Sequence, residues 1–384
     1  MAMTTTEKIS TVNYHLVKGC NYGCKFCFAN FNDVEKMVPF KEQKKMLEII
    51  AAQKYIRKIN FVGGEPTLLG KRLADLVKYA SKLGLTTSVT TNGSLIDERW
   101  IREISNYLDI LTISIDSATD EINRLSGRCS KVGVLPTLAH YEVLASACHK
   151  YGVNLKINTV VTKFNKDENL ALFINKLNPM RWKIFQALRV EGENEANFDQ
   201  CEVSDAEYAA YCNRQLDSVA NKSIVVVETN DLMRGSYLMI NPEGCFFDNS
   251  NGGYTTSQKI AEVGFEKALS QINYSVEKFV ARNGEYEVGN KNDKSGLYVK
   301  TRHFRKRQRE RNVSDMEVNA VLSSIKCSFA GKALIVVGKP FMKLNHISIP
   351  HKNMIVMLDR FVLVTVFFCE NLCELRTKNQ IVLL

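Results

Sequence analysis

The hydrophobic pattern over most of the chain alternates between short apolar runs and amphipathic stretches. Apolar runs predict six strands, at 12–17, 58–62, 87–90, 110–115, 154–160 and 182–188. Amphipathic stretches predict helices between them, at 40–54, 69–83, 97–106, 135–150 and 167–176. Strands and helices that alternate at this spacing form βαβ units around a parallel sheet. Because six strands are too few for a closed eight-stranded barrel, we expect an α/β fold, a partial (βα)6 TIM-like barrel with its site at the C-terminal strand ends.

The same pattern divides the chain into four segments. A short N-terminal tail, 1–10, precedes the barrel at 11–188, and an extension follows at 189–293. In the extension, 230–240 predicts a strand before a turn at Pro242 and Gly244, and 276–283 predicts a short helix that ends at Gly284. We expect the extension to cover the barrel mouth and close the site. Residues 294–384 form a tail of different composition.

Composition and charge exclude several classes of protein. Hydrophobic residues make up 45% of the 384 positions and charged residues 24%, which excludes a disordered, fibrous or polytopic membrane protein. Residues 294–384 contain 16 Lys or Arg and 6 Asp or Glu, a difference equal to the net charge of +10 of the whole chain. Residues 1–293 therefore do not depend on a broad basic surface, and no nucleic acid partner is required.

Three interpretations of the tail remain open. Its basic run at 300–311 could contact nucleic acid or a membrane. The tail could instead be a docked helical or strand appendage, or a disordered or non-native extension without a function. Its patchy apolar pattern favours the last. The apolar stretch at 354–369 contains Asp359 and Arg360, which argues against a membrane-spanning helix.

The cysteines are unevenly spaced. Cys20, Cys24 and Cys27 form a CxxxCxxC motif directly after the first predicted strand, and the polar N-terminus lacks a signal peptide. Reduced thiols in the cytosol are the expected state. Three thiolates on one loop can hold three irons of a [4Fe–4S] cube and leave the fourth iron open to a small molecule. A structural zinc site would need a fourth ligand, which Cys245 could supply from far along the chain.

These motifs resemble those of the radical S-adenosylmethionine (SAM) superfamily. The CxxxCxxC loop contains Tyr22 and Phe26, and a Gly-Gly-Glu-Pro motif at 63–66 follows the second strand. The resemblance implies a [4Fe–4S] cluster on the three cysteines and SAM as the second cofactor. In this family Glu65 contacts the methionine ammonium, Ser114 the ribose and Arg128 the methionine carboxylate. The implied SAM-binding residues are Gly64, Glu65, Asn92, Ser114 and Arg128.

Further motifs narrow the resemblance to the antiviral nucleotide dehydratase family that includes viperin. They are Asn-Tyr-His at 13–15, Lys-Ile-Asn-Phe at 58–61, Asn-Gly-Ser-Leu-Ile at 92–96, Lys-Ile-Asn at 156–158, Arg-Trp-Lys-Ile-Phe-Gln at 181–186 and Glu-Gly-Glu-Asn at 191–194. The resemblance implies a lyase that removes water from a ribonucleoside triphosphate, CTP or else UTP or GTP. A 5′-deoxyadenosyl radical takes the C4′ hydrogen, and the 3′-deoxy-3′,4′-didehydro product terminates polymerase chains.

The family match also implies the substrate site. A triphosphate carries about four negative charges and needs a local group of cations. The matching positions, which we expect to converge on one mouth, are Lys58, Lys156, Arg181, Lys183 and Arg282. Asn13 and Asn158 match positions that hydrogen-bond phosphate or sugar. Tyr237 matches a family tyrosine near the ribose, and we expect it to carry the catalytic proton.

The resemblance implies partners and a location as well. An external one-electron donor of the flavodoxin, ferredoxin or reductase type is required, together with iron–sulfur cluster loading machinery. Animal members end in a Trp used for loading, whereas no Trp follows Trp182 here. Vertebrate members begin with an amphipathic membrane helix, whereas this sequence starts only about ten residues before the first strand. We therefore expect no membrane anchor and a cytoplasmic protein.

Two rival functions remain open. One is a different radical SAM enzyme acting on a nucleotide, such as the molybdenum-cofactor cyclase type. That type needs a second cluster with regularly spaced cysteines, a spacing that Cys327, Cys369 and Cys373 lack. The other is a non-catalytic scaffold that keeps the fold, against which the intact cysteine and Gly-Gly-Glu-Pro motifs argue.

Overall fold

The computed structural model describes residues 10–286 continuously. Beyond them it describes only the backbone of five strands, at 299–300, 332–337, 353–359, 362–369 and 380–383. The chain divides into two compact units, at 1–288 and 289–384. The five strands of the second unit form a sheet of their own. The basic run expected at 300–311 lies outside the described residues except for its first position.

A ten-stranded sheet organises the first unit. Its central six strands are parallel and adjacent in chain order: β1 (Thr11–His15), β2 (Lys58–Val62), β3 (Thr86–Thr91), β4 (Ile110–Ser114), β5 (Asn154–Val161) and β6 (Arg181–Gln186). At one edge β7 (Val225–Glu228) pairs in parallel with β6, and at the other β8 (Met239–Ile240) pairs in parallel with β1. The antiparallel strands β9 (Cys245–Asn251) and β10 (Gly253–Lys259) extend that second edge. The sheet stays open, which confirms the predicted fold class.

Twelve α-helices connect or flank the strands in the described part of the chain, together with two short 3-10 helices at Pro66–Leu69 and Lys222–Ile224. The α-helices are α1 (Phe40–Ala51), α2 (Lys71–Lys82), α3 (Glu98–Ile104), α4 (Asp120–Leu125), α5 (Leu138–Lys150), α6 (Ala171–Leu177), α7 (Glu195–Phe198), α8 (Asp205–Ser218), α9 (Asn230–Met233), α10 (Ile260–Val263), α11 (Phe265–Leu269) and α12 (Val276–Ala281). Side-chain caps define several N-termini, as at Asp97, whose Oδ1 accepts the Trp100 amide at 2.8 Å.

The strands separate a hydrophobic layer from a polar interior. On β1 and β2 the side chains of Val12, Tyr14, Ile59 and Phe61 are fully buried in the core beneath the helices. The alternate positions face the inside of the barrel because successive strand side chains point to opposite faces. Most of those inward positions carry polar side chains, so the barrel interior is suited to a polar ligand.

The extension differs from its prediction in two places. The prediction of a strand at 230–240 is wrong. Thr229 caps the short helix α9 by accepting the Leu232 amide, and only Met239–Ile240 pairs, as β8. The sequence reading also missed α8, although Ser204 and Glu207 form a capping box at its start. The helix expected at 276–283 is confirmed as α12.

Among the described residues no helix combines the length and apolar character that a membrane crossing requires. The eight described cysteines are all free thiols.

We propose that residues 1–293 fold without the tail, since the hydrophobic core draws on residues between Val12 and Val276. Ending the chain after Asp293 should leave the main thermal unfolding midpoint within about 2 °C of the full-length value. Circular dichroism on both chains measures this. As a control, a cut after Leu269 removes the buried Val276 and Phe279 of α12 and should destabilise the fold. A large loss of stability after the Asp293 cut would show that the tail is part of the folded unit.

Candidate active site

A cavity inside the barrel brings most of the predicted site residues together. Its wall includes the three motif cysteines, and it includes Gly64, Glu65, Asn92, Ser114 and Arg128, which the sequence assigns to SAM. It also includes Asn13, Lys156, Asn158 and Tyr237, which the sequence assigns to the substrate. One continuous space therefore connects the expected cofactor residues with part of the expected substrate residues.

The cysteine loop (residues 16–39) lies at the C-terminal ends of the strands. The Gly23 amide donates to the Gly127 carbonyl at 3.3 Å and the Lys25 amide to the Ser126 carbonyl at 3.0 Å. A Cβ on Gly127 would lie 2.1 Å from the Gly23 carbonyl oxygen, so only glycine permits this approach. These contacts hold the middle of the loop against the segment that follows α4.

The three thiols fit a multinuclear cluster better than a single metal ion. In the described part of the chain no three Cys, His, Asp or Glu side chains gather closely enough to hold one ion. In a cluster each thiolate binds its own iron, so three thiols around one cavity satisfy the requirement. Burial raises the pKa of Cys20 to about 11 and that of Cys27 to about 12. Cys245 is buried at the start of β9 and is absent from the cavity wall, so it does not complete a zinc site.

The Gly-Gly-Glu-Pro turn is in backbone contact with the cysteine loop. The Gly64 amide donates to the Val17 carbonyl at 2.6 Å, and the Glu65 amide donates to the Gly19 carbonyl at 2.8 Å. A Cβ on Gly64 would lie 2.2 Å from the Gly19 carbonyl oxygen. The second glycine is therefore required by the close approach of two backbones.

Glu65 joins two turns inside the protein. Its Oε1 accepts from the Thr67 amide at 2.9 Å and from the Thr91 hydroxyl at 2.7 Å, and its Oε2 accepts from the Asn92 amide at 2.8 Å. Its side chain is 1% exposed. Glu65 thus ties the turn after β2 to the turn after β3, a role that the sequence did not indicate. Its expected contact with the methionine ammonium stays a prediction.

Arg128 links the cysteine loop to the end of β4. One guanidinium nitrogen, Nη2, donates to the Ser114 carbonyl at 2.7 Å, and Nε forms an ion pair with Asp116 Oδ2 at 3.0 Å. The third nitrogen, Nη1, donates to Cys24 Sγ at 3.6 Å. The predicted SAM-binding residues Ser114 and Arg128 are therefore neighbours of a motif cysteine.

The five predicted cations converge, but not at the mouth. Inward positions on β2 are Lys58, Asn60 and Val62, and those on β5 are Asn154, Lys156, Asn158 and Val160, so the cation lies in the first half of each strand. At about 3.3 Å per residue, Lys58 lies roughly 13 Å before Val62. The expectation of a cationic mouth is wrong, because the direction of β2, β5 and β6 places four of these side chains deep in the barrel, on the far side of the cavity from the cysteine loop. Arg282 joins them from the C-terminal end of α12.

We call these five side chains the cation group. Its members are all at most 9% exposed: Lys58, Lys156, Arg181, Lys183 and Arg282. The Tyr286 ring centre lies 3.7 Å from Lys58 Nζ and 4.3 Å from Arg181 Cζ, and the Tyr237 ring centre lies 3.6 Å from Arg282 Cζ. Two aromatic rings from the extension thus pack against the cation group, where cation–π attraction offsets part of the repulsion.

Glu228 is a site residue that sequence reasoning missed. Fully buried at the end of β7, it accepts hydrogen bonds from Lys183 Nζ and from the Tyr237 hydroxyl, and its Oε1 lies 3.6 Å from Arg282 Nη1. The signal for it in the sequence is the apolar run 225–227, typical of a buried strand, which ends in a carboxylate. Five cations and one carboxylate leave four formal positive charges in the group.

The cation group is short of negative charge. Burial, followed by the charges of Lys183 and Arg181, lowers the pKa of Lys58 to about 7. Burial also lowers the pKa of Lys183 to about 7 although Glu228 acts to raise it, and it lowers that of Lys156 well below its usual value. Buried polar atoms without a partner include Arg181 Nε, Arg282 Nε and Asn158 Oδ1. A buried polyanion would accept from the two arginine N–H groups, whereas Asn158 Oδ1 needs a donor such as a hydroxyl.

Sequence comparisons support the assignment from motifs. The Radical SAM superfamily model matches residues 14–177. The chain is 40% identical over 284 residues to the S-adenosylmethionine-dependent nucleotide dehydratase of Flammeovirga pacifica, an alignment that covers 73% of this chain and 96% of the relative. It is 42% identical to a protein of the same name from Lacinutrix mariniflava, covering 73% of this chain and 59% of the relative. It is 37% identical to the nucleotide dehydratase RSAD2 of Siniperca chuatsi, covering 74% and 80%.

A solved structure shares the fold. The native anSMEcpe structure with bound AdoMet superposes with a TM-score of 0.51 at 18% sequence identity, covering 83% of this chain and 91% of the other. At this identity the likeness supports the architecture of the chain and not its substrate.

The contact between the Gly-Gly-Glu-Pro turn and the cysteine loop predicts that alanine is harmful at Gly64 and tolerated at Gly23. Gly64→Ala should displace the cysteine loop and abolish iron–sulfur absorbance after anaerobic reconstitution, because its Cβ would overlap a backbone carbonyl. Gly23→Ala is the matched control, since a Cβ there meets nothing within 4 Å. Visible absorbance and iron content per chain measure both. Equal cluster loading in the two variants would contradict the importance of this contact.

The comparisons and the cavity agree on the cofactors. Radical SAM enzymes use a [4Fe–4S] cluster and SAM, and this chain provides three cysteines on one loop with an arginine and a glycine turn beside them. The alignments with these relatives cover 73% and 74% of this chain at 40% and 37% identity, and this match establishes the family. The chain belongs to the S-adenosylmethionine-dependent nucleotide dehydratases, the radical SAM enzymes related to viperin.

Proposed function

We propose that the protein converts a ribonucleoside triphosphate, CTP in the first instance, to its 3′-deoxy-3′,4′-didehydro analogue, with UTP and GTP as the alternative substrates. The observation that carries this proposal is the cation group, which has four formal positive charges when its lysines are protonated and lies in the same barrel as the cysteine loop. A nucleoside triphosphate carries about four negative charges, so it balances the group.

The inward side chains support one orientation of the nucleotide. The triphosphate would lie in the cation group, and Asn158 Oδ1, an acceptor without a partner, would receive a ribose hydroxyl. One layer further up, Asn60 donates to Asn13 Oδ1 at 2.9 Å and accepts from the Thr90 hydroxyl at 3.1 Å. This polar layer lies between the cations and the cysteine loop, at the level where we place the ribose. The distance of roughly 13 Å along each strand is suited to a phosphate at one end and a reacting sugar at the other.

The residues at the upper end would hold the cofactors. We assign the cluster to Cys20, Cys24 and Cys27, and SAM to Gly64, Glu65, Asn92, Ser114 and Arg128, all of which line the cavity. When bound, the cluster and SAM supply one electron and a carbon-centred radical that removes the ribose C4′ hydrogen. The part of the protein is to hold the sugar in reach and to exclude water.

We propose that Tyr237 donates the proton that completes the product. Its ring lines the cavity, and its hydroxyl donates to Glu228 and accepts from Lys183 Nζ at 3.2 Å. Burial raises the pKa of Tyr237 well above its usual value, although the neighbouring Arg282 acts to lower it. The hydroxyl therefore stays protonated, and Lys183 can replace the proton that it gives up.

The reaction needs partners outside this chain. We propose an external one-electron donor of the flavodoxin, ferredoxin or reductase type, and iron–sulfur cluster loading machinery. We also propose the cytosol as the location, since the described cysteines are free thiols. The relatives are named for nucleotide dehydration, and their names do not specify the base.

The test is an anaerobic assay of reconstituted enzyme with SAM, dithionite and each nucleoside triphosphate in turn. One triphosphate should stimulate the formation of 5′-deoxyadenosine and yield a nucleotide lighter by one water. Chromatography and mass spectrometry measure both. Cys24→Ala is the control and should form neither product.

Other outcomes of this assay separate the rival functions. Formation of 5′-deoxyadenosine that no nucleotide affects would contradict the proposed substrate and keep the radical SAM chemistry. Complete inactivity of an enzyme with a loaded cluster would favour the non-catalytic scaffold.

The lowered pKa values predict a pH dependence of nucleotide affinity. Lys58 and Lys183 have pKa values of about 7 in the empty site and must be protonated to bind phosphate. The KM for the nucleotide should therefore rise with pH, by about fivefold per lysine between about pH 7 and pH 8. Steady-state kinetics measure this rise, and the KM for SAM serves as the internal control. Lys58→Arg, which stays charged, should flatten the profile; a KM independent of pH in the wild type would contradict the role of the lysines.

A further inference from the structure

The carboxylates of the cavity are all engaged within the protein. Among the described residues, Glu65 and Asp116 line the cavity, and Glu228 contacts the cation group. Glu65 accepts hydrogen bonds from two turns, and Asp116 pairs with Arg128 and accepts the Val160 amide at 2.7 Å. Glu228 is shared among the cations and Tyr237. None of these three carboxylates is left to hold a divalent cation.

This arrangement differs from that of most sites for nucleoside triphosphates. Such sites usually bind the magnesium complex and hold Mg²⁺ through one or two carboxylates as well as the phosphates. Here Lys and Arg side chains occupy the positions around the expected phosphates, and two of them keep an unpartnered buried N–H, at Arg181 Nε and Arg282 Nε. These N–H groups are direct donors for phosphate oxygens.

The charge balance points in the same direction. With its three lysines protonated, the state that a bound polyanion favours, the cation group has four formal positive charges after Glu228 is subtracted. A metal-free triphosphate carries about four negative charges and its magnesium complex about two, so only the former neutralises the group. Burying the magnesium complex would leave two like charges uncompensated, and unpaired buried charge is costly.

We propose that the enzyme binds its nucleoside triphosphate as the metal-free tetra-anion, with the cation group in the place of Mg²⁺. This inference rests on the proposed function, because it assigns the triphosphate to that group. Magnesium then acts as a competitor that removes the binding form from solution, and the affinity of the enzyme follows the concentration of free nucleotide.

The experiment compares CTP, UTP and GTP binding to reconstituted holoenzyme in EDTA and in excess Mg²⁺. Ionic strength is matched with NaCl, since screening alone weakens charge pairing. When about nine tenths of the nucleotide is complexed, the apparent Kd in total nucleotide should rise about tenfold, whereas the Kd in free nucleotide should stay constant. Titration calorimetry measures both values.

A pair of variants tests the charge argument itself. Lys58→Met removes one charge from the group, so the ratio of the apparent Kd values with and without Mg²⁺ should fall below that of the wild type. Lys54→Met, at an exposed position just before β2, is the control and should leave the ratio unchanged. Equal or tighter binding of the magnesium complex by the wild type would overturn this inference alone. Absence of binding by all three nucleotides in both buffers would overturn the proposed function together with it.

Discussion

Repulsion among five buried cations is the interaction on which the rest of the site depends. Within the described residues, their charges are opposed by one carboxylate, that of Glu228, and by the faces of Tyr237 and Tyr286. The fold tolerates this because the surrounding core is large and the lysines can release protons near neutral pH. The repulsion destabilises the empty site, and a bound polyanion removes it. The relief of this repulsion therefore contributes to the affinity for the anion.

The second constraint is that both ends of the cavity are built on the same strands. On β2 the first residue is Lys58, and the Gly-Gly-Glu-Pro turn begins directly after the last, Val62. On β4 the last residue, Ser114, receives the Arg128 guanidinium that also reaches Cys24. Because a hydrogen-bonded strand cannot change its length, the distance from the cations to the cysteine loop is set by the sheet. The extension adds Glu228, Tyr237 and Arg282 at the deep end.

Much of this arrangement was predictable from the sequence, and particular residues show why. The bounds of β2 were predicted without error, because an alternating run lies between a helix end and a Gly-Gly turn. The cysteine motif and the glycine turn are local patterns, and both line the cavity as expected. Glu228 was missed because its importance comes from Lys183, Tyr237 and Arg282, which are distant in sequence. The short strand β7 was missed because only its pairing with β6 distinguishes it from a loop.

The sequence by itself determined the fold class, the cysteine loop and the residue types of the site. Hydrophobic period and motif spacing are properties of short segments, and short segments can be read without coordinates. Tertiary structure decided the positions at which those residues meet. It placed the cations deep in the barrel rather than at its mouth, and it gave Glu65 and Arg128 partners within the protein. The physical reason is that strand direction, register and burial arise from pairing between distant segments, and these set both the distances and the charges that a ligand encounters.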